Sequence, residues 1–177
     1  MIEWQGGLYA LHESGRPTRI DPETLHNPSE SDLEGVVAST FSAHPHRIAA
    51  RRARYNFGIS YGKETALDLY VLPDSGRARA LGRIPLSHPV LLHNFIVSEN
   101  HLIFFVSPLR LVTWRMMLAL KPFTDNFKWS PSDGSEIIIV PIEHPKEPVR
   151  FRTGPFCQFH FACAFEEGRD IVVDYVR

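Results

Sequence analysis

The sequence predicts an all-β chain, and three observations carry that expectation. Short runs rich in β-branched and aromatic residues recur along the length, separated by Gly, Pro, Asp and Ser clusters that read as turns. With 14 Pro and 11 Gly in 177 residues, few windows are long enough for an uninterrupted helix. Where alternation is cleanest, Leu67, Leu69 and Val71 against Ala66, Asp68 and Tyr70, the period is two, as in a half-buried strand.

In order, the runs are Leu8 to Glu13, Tyr55 to Tyr61, Ala66 to Leu72, Ala78 to Ile84, Val90 to Val97 and Leu102 to Val106. A second set follows with Glu136 to Val140, Val149 to Arg152, Gln158 to Phe165 and Ile171 to Tyr175. Leu72-Pro73-Asp74-Ser75-Gly76 reads as a hairpin turn, and Ser130 to Gly134 and Glu166-Glu167-Gly168 punctuate the second set. Up-and-down antiparallel sheets in one domain over 1–177 are the natural arrangement. Asp21 to Glu34, acidic and interrupted by proline, reads as a solvated connector, and Arg47 with Arg51-Arg52-Ala53-Arg54 as a solvated loop. The segment 109–121, between Pro108 and Pro122, is the one helix candidate, apolar on most of its circumference.

Composition bounds the function. Hydrophobic residues at 44% and charged residues at 22% are those of a chain that buries a core. A net charge of −1 provides no field to collect nucleic acid. Two cysteines, Cys157 and Cys163, are too few for a disulfide framework, and no basic-then-apolar leader follows Met1, so a reducing, cytoplasmic setting is expected. The apolar stretch at 109–120 is shorter than the roughly 20 residues needed to span a bilayer, and Arg110 and Arg115 interrupt it.

Three of the nine histidines share a context, each at or just before a β run among apolar or aromatic neighbours: His44 in Phe41-Ser42-Ala43-His44-Pro45, His93 in Leu91-Leu92-His93-Asn94-Phe95, and His160 in Phe159-His160-Phe161. Their wide separations forbid a local metal motif, so any shared site is assembled by the fold. His46 would share the strand face of His44 if the run stays extended. His26, His88, His101 and His144, beside Pro, Asn or charged residues, read as surface residues.

Further blocks keep these histidines company in a fixed order. They are Ala10-Leu11-His12-Glu13-Ser14-Gly15-Arg16-Pro17, Asp21-Pro22-Glu23-Thr24-Leu25, Asn56-Phe57-Gly58, Ser98-Glu99-Asn100, Phe156, Ala164-Phe165-Glu166 and Ile171-Val172-Val173-Asp174. In this order the chain resembles the carotenoid cleavage oxygenase family, which includes apocarotenoid and stilbene-cleaving dioxygenases and the retinoid isomerase of the visual cycle. The resemblance implies a partial seven-bladed β-propeller, with a non-haem Fe(II) held on its axis by histidines. It implies that His44, His93 and His160 are metal ligands and that Glu13 accepts a hydrogen bond from one ligand imidazole. It further implies cleavage of a conjugated C=C bond by O2 to two carbonyl products, in a carotenoid, apocarotenoid or stilbene-like substrate, with His12 and Phe159 close to it. No nucleophile or Ser/His/Asp arrangement is needed, and none with recognisable spacing is found.

The departures from the family pattern are informative. Asn94 stands where Asp is common and Cys163 where Asn is usual. His12 stands where stilbene cleavers have Lys and carotenoid cleavers often have Trp, which leaves the substrate open. No match to a fourth ligand is found up to Arg177, so an internal slice of the propeller with an incomplete metal site is expected. Because the family takes substrate from membranes, Leu111, Trp114, Met117 and Leu118 form a candidate membrane patch that would make the protein peripheral to the bilayer. The rival reading is a non-catalytic propeller interaction module or a family member that has lost its metal. A three-histidine Zn(II) site is a second chemical alternative, for which no general base can be named.

Overall fold

The computed structural model describes residues 1–26, 29–112, 118 and 122–176. Among the described residues there are strands and two short 3-10 turns but no α-helix, and no helix is long and apolar enough to cross a membrane. The sequence reads as one domain; the chain's internal contacts divide it into two compact units, Met1–Pro85 and Leu86–Arg177.

The first unit holds two four-stranded antiparallel sheets in which neighbours in sequence are neighbours in space. One comprises β1 (Ile2–Trp4), β2 (Gly7–Ala10), β3 (Thr18–Ile20) and β4 (Ser29–Glu30). The other comprises β5 (His46–Ile48), β6 (Ala53–Ser60), β7 (Thr65–Pro73) and β8 (Arg79–Leu86). The β6–β7 ladder runs unbroken from Ala53↔Pro73 to Ser60↔Ala66. Strand β7 is buried on both faces rather than half-buried, since Asp68 and Tyr70 are as enclosed as Leu67, Leu69 and Val71. Tyr70 and Leu72 join Tyr9, Leu33, Val37, Phe41 and Ala78 in one core cluster. Asp68, on that same face, is accepted there because the Ser60 hydroxyl and the Arg83 guanidinium, 3.5 Å away, meet its carboxylate.

Two segments of this unit depart from expectation. Arg47 lies in β5, paired with Arg54 of β6, and its guanidinium meets Asp74 at 2.6 Å, so these two are strand residues, while Arg51 and exposed Arg52 form the turn between the strands, as expected. The acidic connector 21–34 includes β4 and buries Leu33, held by side-chain turns: Asp21 Oδ1 accepts from the Glu23 and Thr24 amides at 2.9 and 2.8 Å, and Asp32 Oδ1 from Gly35 at 2.9 Å.

In the second unit β9 (Ile96–Val97), β10 (His101–Val106), β13 (Ser135–Pro141) and β14 (Val149–Thr153) form a sheet in the order β14-β13-β10-β9. A hairpin joins β15 (Phe161–Glu167) to β16 (Asp170–Tyr175). Ile96, Ile103, Phe105 and Phe156 form the core beneath them, with Phe161, Ala164, Ile171 and Val173 packed against it.

The helix expected over 109–121 does not begin where the pattern placed it. Leu109–Leu111 is strand β11, paired with β12 (Phe127–Trp129). On its other side the Leu111 amide donates to Pro89 O at 3.0 Å and Leu109 O accepts from Leu91 at 3.3 Å. Bonded laterally on both edges, this stretch runs as strand rather than helix. Residues 113–117 and 119–121 lie outside the described residues. The expected strand over Val90 to Val97 contracts to β9, because Asn94 Oδ1 takes the Phe95 amide at 2.8 Å and competes with a ladder bond.

Gly58 allows the segment ahead of β5 to lie against β6, since a Cβ there would overlap Thr40 O. Gly58→Ala should therefore lower stability by about 2 kcal/mol. Gly62→Ala, whose Cβ meets nothing nearer than Glu64 O at 4.0 Å, should stay within about 0.5 kcal/mol of the parent. Urea midpoints compare the two, and equal midpoints would show that the close approach has no energetic weight.

Candidate metal centre

His44 sits two residues ahead of β5 on a segment laced to β6. The Phe41 amide donates to Gly15 O at 2.9 Å, the Ser42 amide to Phe57 O at 2.7 Å, and the His44 amide to Ser42 Oγ at 3.2 Å. Phe41, fully buried, stacks on Tyr70 with centroids 5.6 Å apart, and its burial contributes about 2–3 kcal/mol toward holding this segment down. The His44 imidazole is half-buried, and Glu13 Oε1 lies 3.8 Å from its Nε2, close enough for charge to act. His12, expected beside substrate, bridges to Phe41 through its backbone, while its exposed ring lies over Gly15 with Nδ1 3.2 Å from Ser14 Oγ.

In the second unit the structure brings His93 and His160 together. Their rings meet edge to face with centroids 5.0 Å apart at 87°, and a nitrogen of each lies within 4.8 Å of the other. Phe159, 45% exposed, closes on His93 edge-on at 5.6 Å. His93 is followed by buried Asn94 and by Phe95, which is fully buried and stacks on Phe104 at 5.2 Å. The backbone of His160 is held by the Val176 amide, 3.0 Å from its carbonyl. Imidazole is a suitable donor for Fe(II) as for other first-row ions, so this pair fits the metal that the resemblance implies.

One position recurs. His44, His93 and His160 each stand one to three residues ahead of the first strand of a sheet: β5, β9 and β15.

Two histidines read as surface residues are placed otherwise. His101 is half-buried and its Nδ1 meets Glu166 Oε1 at 3.0 Å. The same carboxylate accepts from Ser98 Oγ at 2.6 Å and from the Asn100 amide and Nδ2, each at 2.9 Å, tying the β9–β10 turn to β15. Partial burial pushes the Glu166 carboxyl up, but the hydrogen bonds from Ser98, Asn100 and His101 outweigh it and hold the group at about 2. The signal in sequence was the pair of blocks Ser98-Glu99-Asn100 and Ala164-Phe165-Glu166, whose connection to each other spacing could not reveal. His88 is also partly enclosed, and burial, then the Arg110 charge, lower its pKa. Of the candidate membrane patch, Leu111 is buried and cannot face lipid, Leu118 is 62% exposed, and Trp114 and Met117 lie outside the described residues.

Four-stranded antiparallel meanders following one another along the chain are the blades of the β-propeller class. The chain belongs to the carotenoid cleavage oxygenase family: the family model described as retinal pigment epithelial membrane protein matches residues 1–177. It is 29% identical over 178 residues to isoeugenol monooxygenase of Pseudomonas putida, covering 98% of this chain and 36% of the relative. It is 27% identical over 176 residues to resveratrol cleavage oxygenase 1 of Chaetomium globosum, covering 94% and 29%. Among solved structures it matches a cobalt-substituted apocarotenoid oxygenase of Synechocystis with a TM-score of 0.84 at 25% identity, over 99% of this chain and 38% of that one. The chain thus spans about a third of the length of these relatives. Its fold class is all-β and that of a partial propeller, as expected.

Glu166 sets a testable pH dependence. Its pKa is depressed in the folded state from 4.5 to about 2, so its contribution is complete above pH 4.5 and is lost as pH falls toward 2. Glu166→Gln should cost roughly 2 kcal/mol at neutral pH and flatten this acid limb. Chemical unfolding at a series of pH values reads both, and superimposable acid limbs in parent and variant would remove the assigned role.

Proposed function

We propose that this chain is part of a non-haem Fe(II) oxygenase that cleaves a conjugated C=C bond in an apolar polyene or aryl alkene, with O2 as co-substrate and His44, His93 and His160 as iron ligands. The observation that carries the reading is the common place of the three histidines, each just ahead of the first strand of its sheet. In a propeller the first strands of successive blades line one axis, so equivalent positions on them can serve one ion. The pairing of His93 with His160 inside the second unit is the part of such a site that a single unit can supply. The relatives' names, an isoeugenol monooxygenase, a resveratrol cleavage oxygenase and carotenoid-cleaving dioxygenases, support an alkene substrate in kind.

Iron, when bound, supplies the one-electron chemistry through which O2 can react with an alkene. The protein's own part is binding, orientation and exclusion of water. Neutral imidazoles leave the metal's charge uncompensated, and the Glu13 carboxylate 3.8 Å from His44 adds a negative charge beside it. Phe159, half-exposed against His93, offers an aromatic face to an apolar substrate. Buried Phe95 behind His93 keeps water from that side. A membrane contact through the 109–121 segment rests, among the described residues, on Leu118 alone; equal liposome co-sedimentation by the parent and Leu118→Glu would remove it.

The test is anaerobic Fe(II) titration followed by O2 with an apocarotenoid or a hydroxystilbene, scoring aldehyde products. The reading expects stoichiometric Fe(II) binding that His93→Ala and His160→Ala each weaken at least roughly tenfold, and iron-dependent aldehydes when the segment is carried in a full-length relative. Fe(II) binding indifferent to both substitutions, with no aldehydes formed, would favour the non-catalytic module.

A further inference from the structure

We infer that Asn56 is a positioning residue for His44, acting through Ser42 on the backbone that presents the imidazole. Asn56 lies in β6 opposite Tyr70 and is fully buried, an uncommon place for an amide. Its Nδ2 donates to Ser42 O at 2.8 Å. The same Ser42 is gripped twice more, its amide donating to Phe57 O at 2.7 Å and its hydroxyl accepting from the His44 amide at 3.2 Å. A chain of bonds therefore runs from the centre of β6 through one serine to the histidine two residues on.

The energetics of the amide point the same way. Asn56 Oδ1 is buried and has no hydrogen-bond partner among the described residues. A buried acceptor left unpaired is costly, so the side chain is poor filling for a core, and its Nδ2 bond to the His44 segment is what sets it apart from an apolar residue of the same size. The flanking contacts complete the seat: Thr40 Oγ1 accepts from the Ile59 amide at 2.7 Å, and Thr40 O lies against Gly58, where no side chain fits. Asn56, Phe57 and Gly58 thus act on one segment from three consecutive positions, by side-chain donor, backbone acceptor and absence of a Cβ. Ser42 works at its other end as a turn former, its hydroxyl capping the His44 amide.

The inference rests on the reading of His44 as a metal ligand, and the experiment separates the two. Co(II) is titrated into the 177-residue chain and followed by its visible d–d absorption, alongside thermal unfolding of the metal-free protein. Asn56→Ala should weaken Co(II) binding roughly tenfold and change the band pattern, and Ser42→Ala, which keeps the core filled, should do the same to a smaller degree. In a His44→Ala background neither substitution should weaken binding further, although the loss of thermal stability from Asn56→Ala persists. Val71→Ala, a core truncation in β7, should lower stability and leave the spectrum unchanged. If Asn56→Ala does not fold, Ser42→Ala decides alone. Weakening by Asn56→Ala or Ser42→Ala that persists in full without His44, or an unchanged spectrum in both variants, overturns the inference. Failure of the parent to bind Co(II), or indifference to His44→Ala, overturns the ligand reading and the inference with it.

Discussion

A side chain one to three residues ahead of a strand has no ladder to orient it, and this constraint governs the candidate centre. The pleat that fixes alternate side chains inside a sheet begins only at β5, β9 and β15. Each histidine is consequently held by something outside its own strand. For His44 it is the Ser42 hydroxyl and the stacked Phe41; for His93 it is the buried Phe95 against Phe104; for His160 it is the Val176 amide reaching back from the far strand of the hairpin. Rigidity thus comes from the sheets, while the three histidines stand just ahead of them.

That division explains how polar groups are spent in the core. Asn56 and Asp68 lie in β6 and β7 at positions where apolar residues would fill space more cheaply. One holds the segment that carries His44, and the other is met by Ser60 and Arg83 on the same ladder. In the second unit, Glu166 gathers a turn and a strand around one carboxylate, fixing β15 below His160.

Much of this was legible in the sequence. Alternation located β7 and a run of β-branched and aromatic residues located β6, although burial of β7 on both faces, with Asp68 met by Ser60 and Arg83, could not be read from the alternation. The three histidines stood out by their apolar company, which the structure explains: each precedes a strand entering a core. What remained hidden depended on lateral partners. Nothing in Leu109 to Leu111 announces that Pro89 and Phe127 flank it, so an apolar run with good helix formers was read as helix. The shortness of β9 follows from a single Asn94 side-chain bond, and the burial of His101 from a carboxylate 65 residues away.

The central claim is that His44, His93 and His160 serve one ion. X-ray absorption at the iron edge, on the Fe(II)-loaded chain and on His44→Ala, His93→Ala and His160→Ala, tests it most directly, because imidazole scattering counts the ligands. The account predicts that each substitution removes one imidazole from the parent's shell. A shell unchanged by His44→Ala, with the other two substitutions effective, would contradict it and leave only the histidine pair of the second unit.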